Sequence, residues 1–445
     1  MRKFYTFFLA LTLCSAASSQ ELKVLSCGLG VPGIDEPQLM AEDISPDGKY
    51  VCGALEMGEG IFIANTETGE VKWSIPEEID DDGAELRAID NLGMAVGYSG
   101  SFGITWQFDN EELTLMRGPE GSRGTIGEGL TNDGSLLVGS IKASDTQAAY
   151  SKDGGNSFTC LPMPPDEEIL KVLKKVPEGS AAKKVSGDGR VILGFIGSFS
   201  IPCLWILNDD GEYVPDLFPA RFLKRSDEDM DNDEKPLSGI SAMYLGLSNN
   251  GRYVSLLGLI PKDDNPYMEV PIVYDTETKS LKVYSEYQDI DITHEGLYPV
   301  AICNDGTFVG TIGKPIFGSY GSFIMMAGET QAELFVDVFP EFYKRYGEAD
   351  SRGFNVCTGL SADGRYITGY VYYTDNYFDL ETPAYYESYV IDRGEDAPGA
   401  VDDLESCKQH AEAVYSIDGR CLREMTKGIN IIRNSDGSLS KVLKK

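Results

Sequence analysis

Alternating hydrophobic and polar residues follow a glycine-containing turn at seven places along the chain. Each copy starts with a small or apolar pair, passes a polar residue, turns at a glycine and then alternates towards a position usually occupied by a second glycine. The copies occupy residues 43–53, 88–97, 129–139, 184–194, 246–255, 301–310 and 359–369. Asp-Gly and Asn-Gly between alternating runs favour hairpins, because both central turn positions take positive φ. The pattern therefore predicts seven hairpins.

A second hairpin follows the first in these units, as in residues 61–73 and 204–214. The turn glycines are 45, 41, 55, 62, 55 and 58 residues apart. Four short antiparallel strands in units of this length are typical of propeller blades, which bury both sheet faces against neighbouring blades. A β-sandwich array would not explain the regular two-hairpin unit. We therefore predict an all-β fold, a seven-bladed β-propeller, over residues 20–393.

The seventh copy lacks a fourth strand of its own. After a third-strand run at residues 384–391, the chain enters a segment with Gly and Pro, which we interpret as a linker over residues 394–410. The run Leu22-Lys-Val-Leu-Ser26 matches the fourth-strand run Leu281-Lys-Val-Tyr-Ser285. We expect residues 21–27 to complete blade seven. This closure would remove an open edge and tie the two ends of the array together.

The repeat unit, Ile/Leu-Ser-x-Asp-Gly followed by an alternating strand, resembles the short repeat of secreted bacterial β-propellers over roughly residues 21–393. The resemblance implies a fold and leaves function open, because propellers host enzymes, glycan binders and scaffolds. A second motif resembles the Asp-box of sialidase-like propellers, where it forms a structural hairpin between the third and fourth strands. Its residues here are Ser151, Asp153, Gly155, Ser157 and Phe158. The sialidase Phe/Tyr-Arg-Ile-Pro segment is replaced by Phe199-Ser-Ile-Pro202, which argues against that activity.

Targeting signals are predicted at the N-terminus. Residues 1–19 combine basic Arg2 and Lys3, an apolar run and small residues before Gln20, which indicates a secretory signal peptide. Cys14 would serve a lipoprotein only if a small residue preceded it, whereas Leu13 does. No later run approaches the length of a membrane-spanning helix. We therefore expect an exported chain with no transmembrane span.

The last 35 residues carry a different pattern, with Tyr415-Ser-Ile-Asp-Gly419-Arg, Lys427-Gly-Ile-Asn-Ile431 and a terminal Lys441-Val-Leu-Lys-Lys445. These three elements resemble, in order, the C-terminal sorting domain of the type IX secretion system. The resemblance implies that residues 411–445 bind the type IX secretion machinery and that the protein is secreted or attached at the cell surface. A loose β segment appended to the propeller is the alternative interpretation.

Charge and histidine content exclude several function classes. The chain has 38 Lys and Arg against 71 Asp and Glu, a net charge of −33, which repels phosphate backbones and argues against nucleic-acid binding. Only His294 and His410 are present, which disfavours zinc hydrolases and Ser-His-Asp catalysis. Acidic residues 227, 229 and 231 have calcium-loop spacing, but Asn232 and Ser238 replace the Gly and Glu that the loop requires. We predict no cofactor and no metal ion.

The cysteines give one candidate disulfide. Cys52, Cys203, Cys303 and Cys357 are scattered singly in or beside strand-like runs, which predicts buried core residues. Export leads to an oxidising compartment, so pairing is chemically allowed. Cys407 and Cys421 are the pair that we would test.

Ligand contacts are predicted from aromatic residues in the loops that join second and third strands. In a propeller these loops gather at one mouth of the channel, and blades five to seven have long ones at residues 259–270, 311–322 and 370–383. Aromatic faces beside hydrogen-bonding groups suit sugars and protein hot spots alike. The predicted contact residues are Tyr370, Tyr372, Tyr373, Tyr377, Phe378, Phe317, Tyr320, Phe102 and Phe199. A tyrosine stripe in a strand is more often packing than contact, which is the competing interpretation.

The sequence favours a non-catalytic, exported propeller that binds a glycan or a protein at its mouth. A carboxylate-dependent glycan hydrolase or lyase with its site in the channel mouth is the first alternative. A structural surface-layer protein is the second. No nucleophile elbow, P-loop or metal-binding His motif is present in the sequence, so no catalytic residue is predicted.

Overall fold

The structure is a computed structural model, and most of the propeller can be described from it. The described residues are 20–26, 38–76, 83–110, 113–173, 175–197, 201–223, 236–262, 265–285, 296–313, 321–346, 353–374 and 384–394, together with the backbone of four C-terminal strands at 411–416, 421–422, 428–434 and 439–444. The predicted signal peptide, the linker, the calcium-like run and Cys407 lie outside these residues.

Seven four-stranded antiparallel sheets form the blades of a β-propeller, as predicted. Blades one and two are β2 (Leu39–Ile44), β3 (Tyr50–Leu55), β4 (Ile61–Asn65), β5 (Val71–Ser74), β6 (Ala84–Ile89), β7 (Met94–Ser99), β8 (Phe102–Gln107) and β9 (Leu113–Leu115). Blades three and four are β10 (Gly124–Leu130), β11 (Leu137–Lys142), β12 (Thr146–Ser151), β13 (Thr159–Cys160), β14 (Ser180–Val185), β15 (Val191–Ile196), β16 (Ile201–Leu207) and β17 (Tyr213–Leu217).

Blades five to seven complete the ring, and the inner hairpins of blades five and seven are longer than those of the first four. Their strands are β18 (Gly239–Leu247), β19 (Tyr253–Lys262), β20 (Asn265–Asp275), β21 (Ser280–Val283), β22 (Leu297–Ile302), β23 (Phe308–Ile312), β24 (Gly321–Met325), β25 (Ala332–Leu334), β26 (Gly353–Leu360), β27 (Tyr366–Thr374) and β28 (Ala384–Asp392). Short helices occur between blades: α1 (Asp166–Val172), α2 (Phe335–Val338) and α3 (Pro340–Tyr346).

The N-terminal strand β1 (Glu21–Leu25) closes the ring, as the sequence match to other fourth strands predicted. It pairs antiparallel with β28 in the register Glu21 to Asp392 and Leu25 to Ser388. Leu25 is buried in the core between blades seven and one. The strand β1 near the N-terminus is therefore the outer strand of the last blade.

Each blade shares an apolar core with its neighbour. Tyr50, Cys52 and Ile63 of blade one pack with Leu86 and Trp106 of blade two in one cluster. The predicted core cysteines, at positions 52, 203, 303 and 357, are buried free thiols, while Cys160 is an exposed free thiol. Because every sheet is covered on both faces by other sheets, no blade has a complete core by itself.

The repeated Ser-x-Asp-Gly sequence folds into a turn stabilised by its own side chains. In blade one, the Ser45 hydroxyl donates to Asp47 Oδ1 at 2.7 Å and accepts from the Tyr50 N–H at 2.9 Å. Gly48 has a φ of 78° and lies so close to the Tyr366 ring of blade seven that a Cβ could not fit. The same serine-to-acid hydrogen bond recurs in blades four and seven, at Ser186 and Ser361.

These seven turns are joined to one another by a closed circle of hydrogen bonds, which we call the turn ring. One bond crosses each of the seven interfaces between neighbouring blades. The bonds run from Asp47 N to Asn91 Oδ1 (2.9 Å), Asn91 N to Asn132 O (3.1 Å), Asn132 N to Gly187 O (3.2 Å), Gly187 N to Asn249 O (2.7 Å), Asn250 N to Asn304 Oδ1 (2.8 Å), Asn304 N to Ala362 O (3.0 Å) and Ala362 N to Pro46 O (2.9 Å). The ring surrounds the channel at the end that we call lower.

The C-terminal strands form a sheet of their own. Strands β29 (Ala411–Ser416), β30 (Cys421–Leu422), β31 (Gly428–Asn434) and β32 (Leu439–Lys444) are arranged in the order β30-β29-β31-β32. Strands β29 and β30 pair as one hairpin and β31 and β32 as another, and β29 also pairs with β31 to unite them. The C-terminal strands therefore form a small β segment, and their role in sorting stays a prediction.

Removing strand β1 by deleting residues 20–26 should destabilise the whole ring. The deletion exposes the edge of β28 and the apolar surface that Leu22 and Leu25 cover. We expect calorimetry to show a melting temperature about 5–10 °C lower. The Lys23→Ala variant, which loses a hydrogen bond to Thr66 O and an exposed ion pair with Glu21 but keeps the strand, is the control and should change it little. An unchanged melting temperature in the deletion variant would contradict the closure.

Asp90 should make stability depend on pH. In the shorter turn of blade two, its Oδ1 accepts from the N–H groups of Leu92 and Met94, while buried Oδ2 has no hydrogen-bond partner among the described residues. Burial raises the pKa of Asp90 from 3.8 to about 6. The folded state therefore binds this proton more tightly than the unfolded state, and stability falls as pH rises from about 4 to about 6.

The Asp90→Asn variant tests this directly. Because the amide cannot ionise, the variant should exceed the native protein in unfolding free energy by about 1–2 kcal/mol at pH 7 and by almost nothing below pH 4. Urea unfolding at the two pH values measures the difference. An equal difference at both pH values would show that ionisation of Asp90 is not the cause.

Candidate functional site

The innermost strand of every blade is interrupted by a bulge that turns residues towards the channel. In β2 the ladder steps from Ala41 to Asp43, and the extra residue between them has no partner on β3. Bulges expose the extra residue and re-aim its side chain. The residues of this position that line the upper half of the channel are Glu42, Arg87, Glu128, Lys183, Leu245, Val300 and Thr358.

Charged residues of blades two to four form one network on the channel wall. The Arg87 guanidinium donates to Glu85 at 3.1 Å and to Glu128 at 2.9 Å, and Lys183 donates to Glu128 at 2.5 Å. The Tyr98 hydroxyl donates to Glu85 at 3.0 Å. Two cations are thus matched by two carboxylates. Burial and the nearby Glu85 carboxylate raise the pKa of Tyr98 to about 12, so the hydroxyl keeps its proton at neutral pH.

Burial acts to lower the pKa of each cation, whereas its ion pairs act to raise it. It lowers the pKa of Lys183, although Glu128 opposes the change. For Arg87 burial also acts downwards, but Glu128 and Glu85 outweigh it and leave its pKa above the ordinary value. Both groups form ion pairs with carboxylates of the network. The cations and carboxylates of the network therefore pair with one another, and these salt bridges fix the shape of this wall.

The opposite wall of the upper channel is largely apolar. Leu245, Pro299 and Val300, from blades five and six, face a cavity of about 270 Å³. Tyr244 also lines this wall, with its ring 4.9 Å from that of Tyr298. The buried hydroxyl oxygen of Tyr244 has no hydrogen-bond partner among the described residues. The cavity therefore has a charged side and an apolar side.

The lower half of the channel is narrower. The position that follows the bulge carries small residues such as Ala88, Gly129 and Gly246, together with Asp43 and Lys184, and the cavity there measures about 90 Å³. Asp43 Oδ2 accepts from the Ile89 N–H at 3.2 Å. Burial raises the pKa of Asp43, while Lys184 acts in the opposite direction. The larger, upper cavity is the better ligand site.

Three tyrosines of blade seven form an aromatic group, which we call the rim tyrosines. The ring of Tyr386 lies 6.0 Å from that of Tyr370 and 4.8 Å from that of Tyr372. Burial raises the pKa of Tyr370, and the Glu42 carboxylate raises it further, which places this hydroxyl within electrostatic reach of the channel. Burial and Tyr372 raise the pKa of Tyr386 to about 12. Uncharged aromatic surface thus adjoins the charged wall.

The prediction that Tyr370, Tyr372 and Tyr373 belong to a loop was wrong. Strand β27 continues to Thr374, so all three are strand residues, and β28 begins at Ala384. Tyr, Val and Thr favour extended backbone, which carries the hairpin beyond the length of those in blades one to four. In blade five the predicted loop at residues 259–270 is also mostly strand, because β19 and β20 pair as far as Lys262 and Asn265.

Phe102, another predicted contact residue, lies apart from the rim tyrosines. It begins β8 of blade two, has 42% of its surface exposed and lines a groove of about 720 Å³. Leu115, Arg117 and Asn156 line the same groove. The remaining predicted contacts, Tyr377, Phe378, Phe317, Tyr320 and Phe199, lie outside the described residues, as does the side chain of Tyr373.

The Asp-box residues form the hairpin between β12 and β13, the third and fourth strands of blade three. Asp153 accepts from the hydroxyls of Ser157 at 2.6 Å and Ser151 at 2.7 Å, and from the Ser157 N–H. These hydrogen bonds lower the pKa of Asp153 to about 2. Gly155 has a φ of 90°, and Phe158 packs against the core shared with blade two. All these contacts hold a turn at the blade's outer edge.

Within the described part of the chain, no group of three or more His, Cys, Asp or Glu side chains is arranged to hold a metal ion. In the same part, no helix is long and apolar enough to cross a membrane. The channel residues Glu42, Arg87, Glu128 and Lys183 were not predicted. An alignment of the seven repeats at the Ile, Leu or Val before the turn could have found them, because the residue two positions earlier is Glu, Arg, Glu and Lys in blades one to four.

The fold defines the chain as a seven-bladed β-propeller, and comparisons add solved structures of low similarity. No protein-family model matches, and no curated protein matches either. The β-propeller domain of Cps50 (Swd1) from Myceliophteria thermophila is 10% identical, with 80% of this chain and 97% of that chain covered and a TM-score of 0.47. An oligogalacturonate lyase from Vibrio parahaemolyticus is 9% identical, with 84% and 97% covered and a TM-score of 0.45.

Proposed function

We propose that this chain is an exported, non-catalytic binding protein, secreted or held at the cell surface, whose propeller binds a glycan or a protein ligand through the rim tyrosines. Export is supported by the signal-peptide pattern of residues 1–19. The sorting-domain resemblance of residues 411–445 supports passage through the type IX secretion machinery, with the C-terminal sheet as the recognised element.

The observation that carries this proposal is the group of half-buried aromatic rings beside polar groups on blade seven. The Tyr386 N–H donates to the Gln38 side chain at 2.7 Å, which fixes blade seven against the start of blade one. Rings that are held in place lose little freedom on binding, and their faces stack on sugar rings or on apolar protein side chains. Because they are preorganised, these tyrosines suit recognition without turnover.

A second candidate function is carboxylate-dependent glycan hydrolysis or elimination in the channel. The observation that favours it is the contrast between Glu42 and Glu128. Burial raises the pKa of Glu42 well above its usual range, whereas Glu128 is held in ion pairs by Arg87 and Lys183. Two carboxyl groups in such different environments suit catalysis in which one is the general acid and the other is the base or stabilises the transition state. A structural surface-layer role would require neither group.

The test is retention on a glycan array, followed by analysis of the eluted glycans for new reducing ends. We expect retention without turnover. Tyr372→Ala and Tyr386→Ala should each weaken binding about tenfold, because each loses one stacking contact. Phe102→Ala is the matched control, since it removes an aromatic ring from blade two and should leave retention unchanged.

The other outcomes discriminate between the functions. New reducing ends would support the enzyme instead of the binder. Loss of retention in Phe102→Ala alone would contradict the rim as the contact surface. The absence of retention from both the array and a matching panel of surface proteins would favour the structural role.

A further inference from the structure

Two charged groups in the upper channel are not used by its ion-pair network. The carboxylate of Glu42 has no hydrogen bond and no ion pair to any described residue, and neither does the ammonium of Lys184. Both line the upper cavity, and neither is matched as Arg87 and Lys183 are. Both side chains are half-buried on the wall of one cavity, so a ligand that enters it can pair with each of them.

The positions of these two groups prevent them from satisfying each other directly. Glu42 belongs to blade one and Lys184 to blade four, three blades apart in a ring of seven, so they approach the cavity from nearly opposite sides. They remain close enough that Lys184 lowers the pKa of Glu42, against the larger effect of burial. A molecule lying across the channel axis can contact both.

The rest of the lining restricts what this molecule can be. Arg87 and Lys183 are neutralised by Glu85 and Glu128, so they offer no net charge to a ligand. Leu245, Pro299 and Val300 offer only apolar surface. At about 270 Å³, the cavity is slightly smaller than pockets for drug-sized ligands, which begin at about 300 Å³. The site fits a small molecule with one positive group, one negative group and an apolar portion.

We propose that the upper channel binds a free amino acid as its zwitterion, with the ammonium on Glu42, the carboxylate on Lys184 and an apolar side chain against blades five and six. Opposite charges held apart by the fold would be satisfied by one ligand that carries both in complementary order. The rim tyrosines adjoin this cavity but do not line it, so the proposal does not rest on glycan or protein binding there.

Three probes of nearly the same shape test the proposal by isothermal titration calorimetry of the full mature chain. L-leucine has both charges, leucinamide lacks the carboxylate, and 4-methylpentanoate lacks the ammonium. In the native protein we expect leucine to bind with a Kd below about 1 mM and each of the other two at least about tenfold more weakly. Native protein that binds no leucine, or that binds all three probes equally, would overturn the proposal.

Two variants assign the charges to residues. Glu42→Gln should reduce leucine affinity to that of 4-methylpentanoate, while Lys184→Gln should reduce it to that of leucinamide. Lys279→Gln is the matched control, because this lysine pairs with Asp216 away from the channel and its loss should leave all three affinities unchanged. Equal losses for all three probes in both channel variants would contradict the assignment. If a variant does not fold, the ranking of probes in the native protein still decides the proposal.

Discussion

The turn ring is the constraint on which the rest of this propeller depends. Apolar packing holds neighbouring blades together, but it is not directional and does not set how closely seven inner strands approach an axis. At least one hydrogen bond across each interface does so, and these bonds join the first hairpin turns of neighbouring blades. Where Pro46 supplies no N–H, Asp47 donates to Asn91 instead, so the circle stays complete.

The ring also explains why the channel can vary in chemistry while its backbone remains constant. Each turn is fixed below, and in six blades the inner strand bulges by one residue at the same distance above it, while in blade five the ladder is interrupted from Ser241 to Gly246. The bulged residue is free of the ladder, so it can be Glu, Arg, Lys, Leu, Val or Thr without disturbing blade packing. Four blades thus place a charged residue at this position and two place an apolar residue there. This difference gives the cavity one charged wall and one apolar wall.

The sequence was sufficient to predict the blades because their signal is local. Ser, Asp and Gly of one turn bond to one another, as at Ser45 and Asp47, and repeat seven times. Closure by β1 was predictable because Leu22–Ser26 repeats a fourth-strand pattern. The channel was not predicted, since Glu42 and Lys184 line one cavity only when blades one and four face each other across the channel. Tyr370 was assigned to a loop because the pattern does not show how far a hairpin extends.

Hydrogen exchange of the turn-ring amides tests the central claim most directly. If the circle is the shared constraint, the N–H groups of Asp47, Asn91, Asn132, Gly187, Asn250, Asn304 and Ala362 should be protected to a similar degree, within about tenfold, and exchange through global opening of the ring. One or more of these amides exchanging as fast as an outer hairpin turn, while the blades stay folded, would show that the interfaces do not depend on the ring.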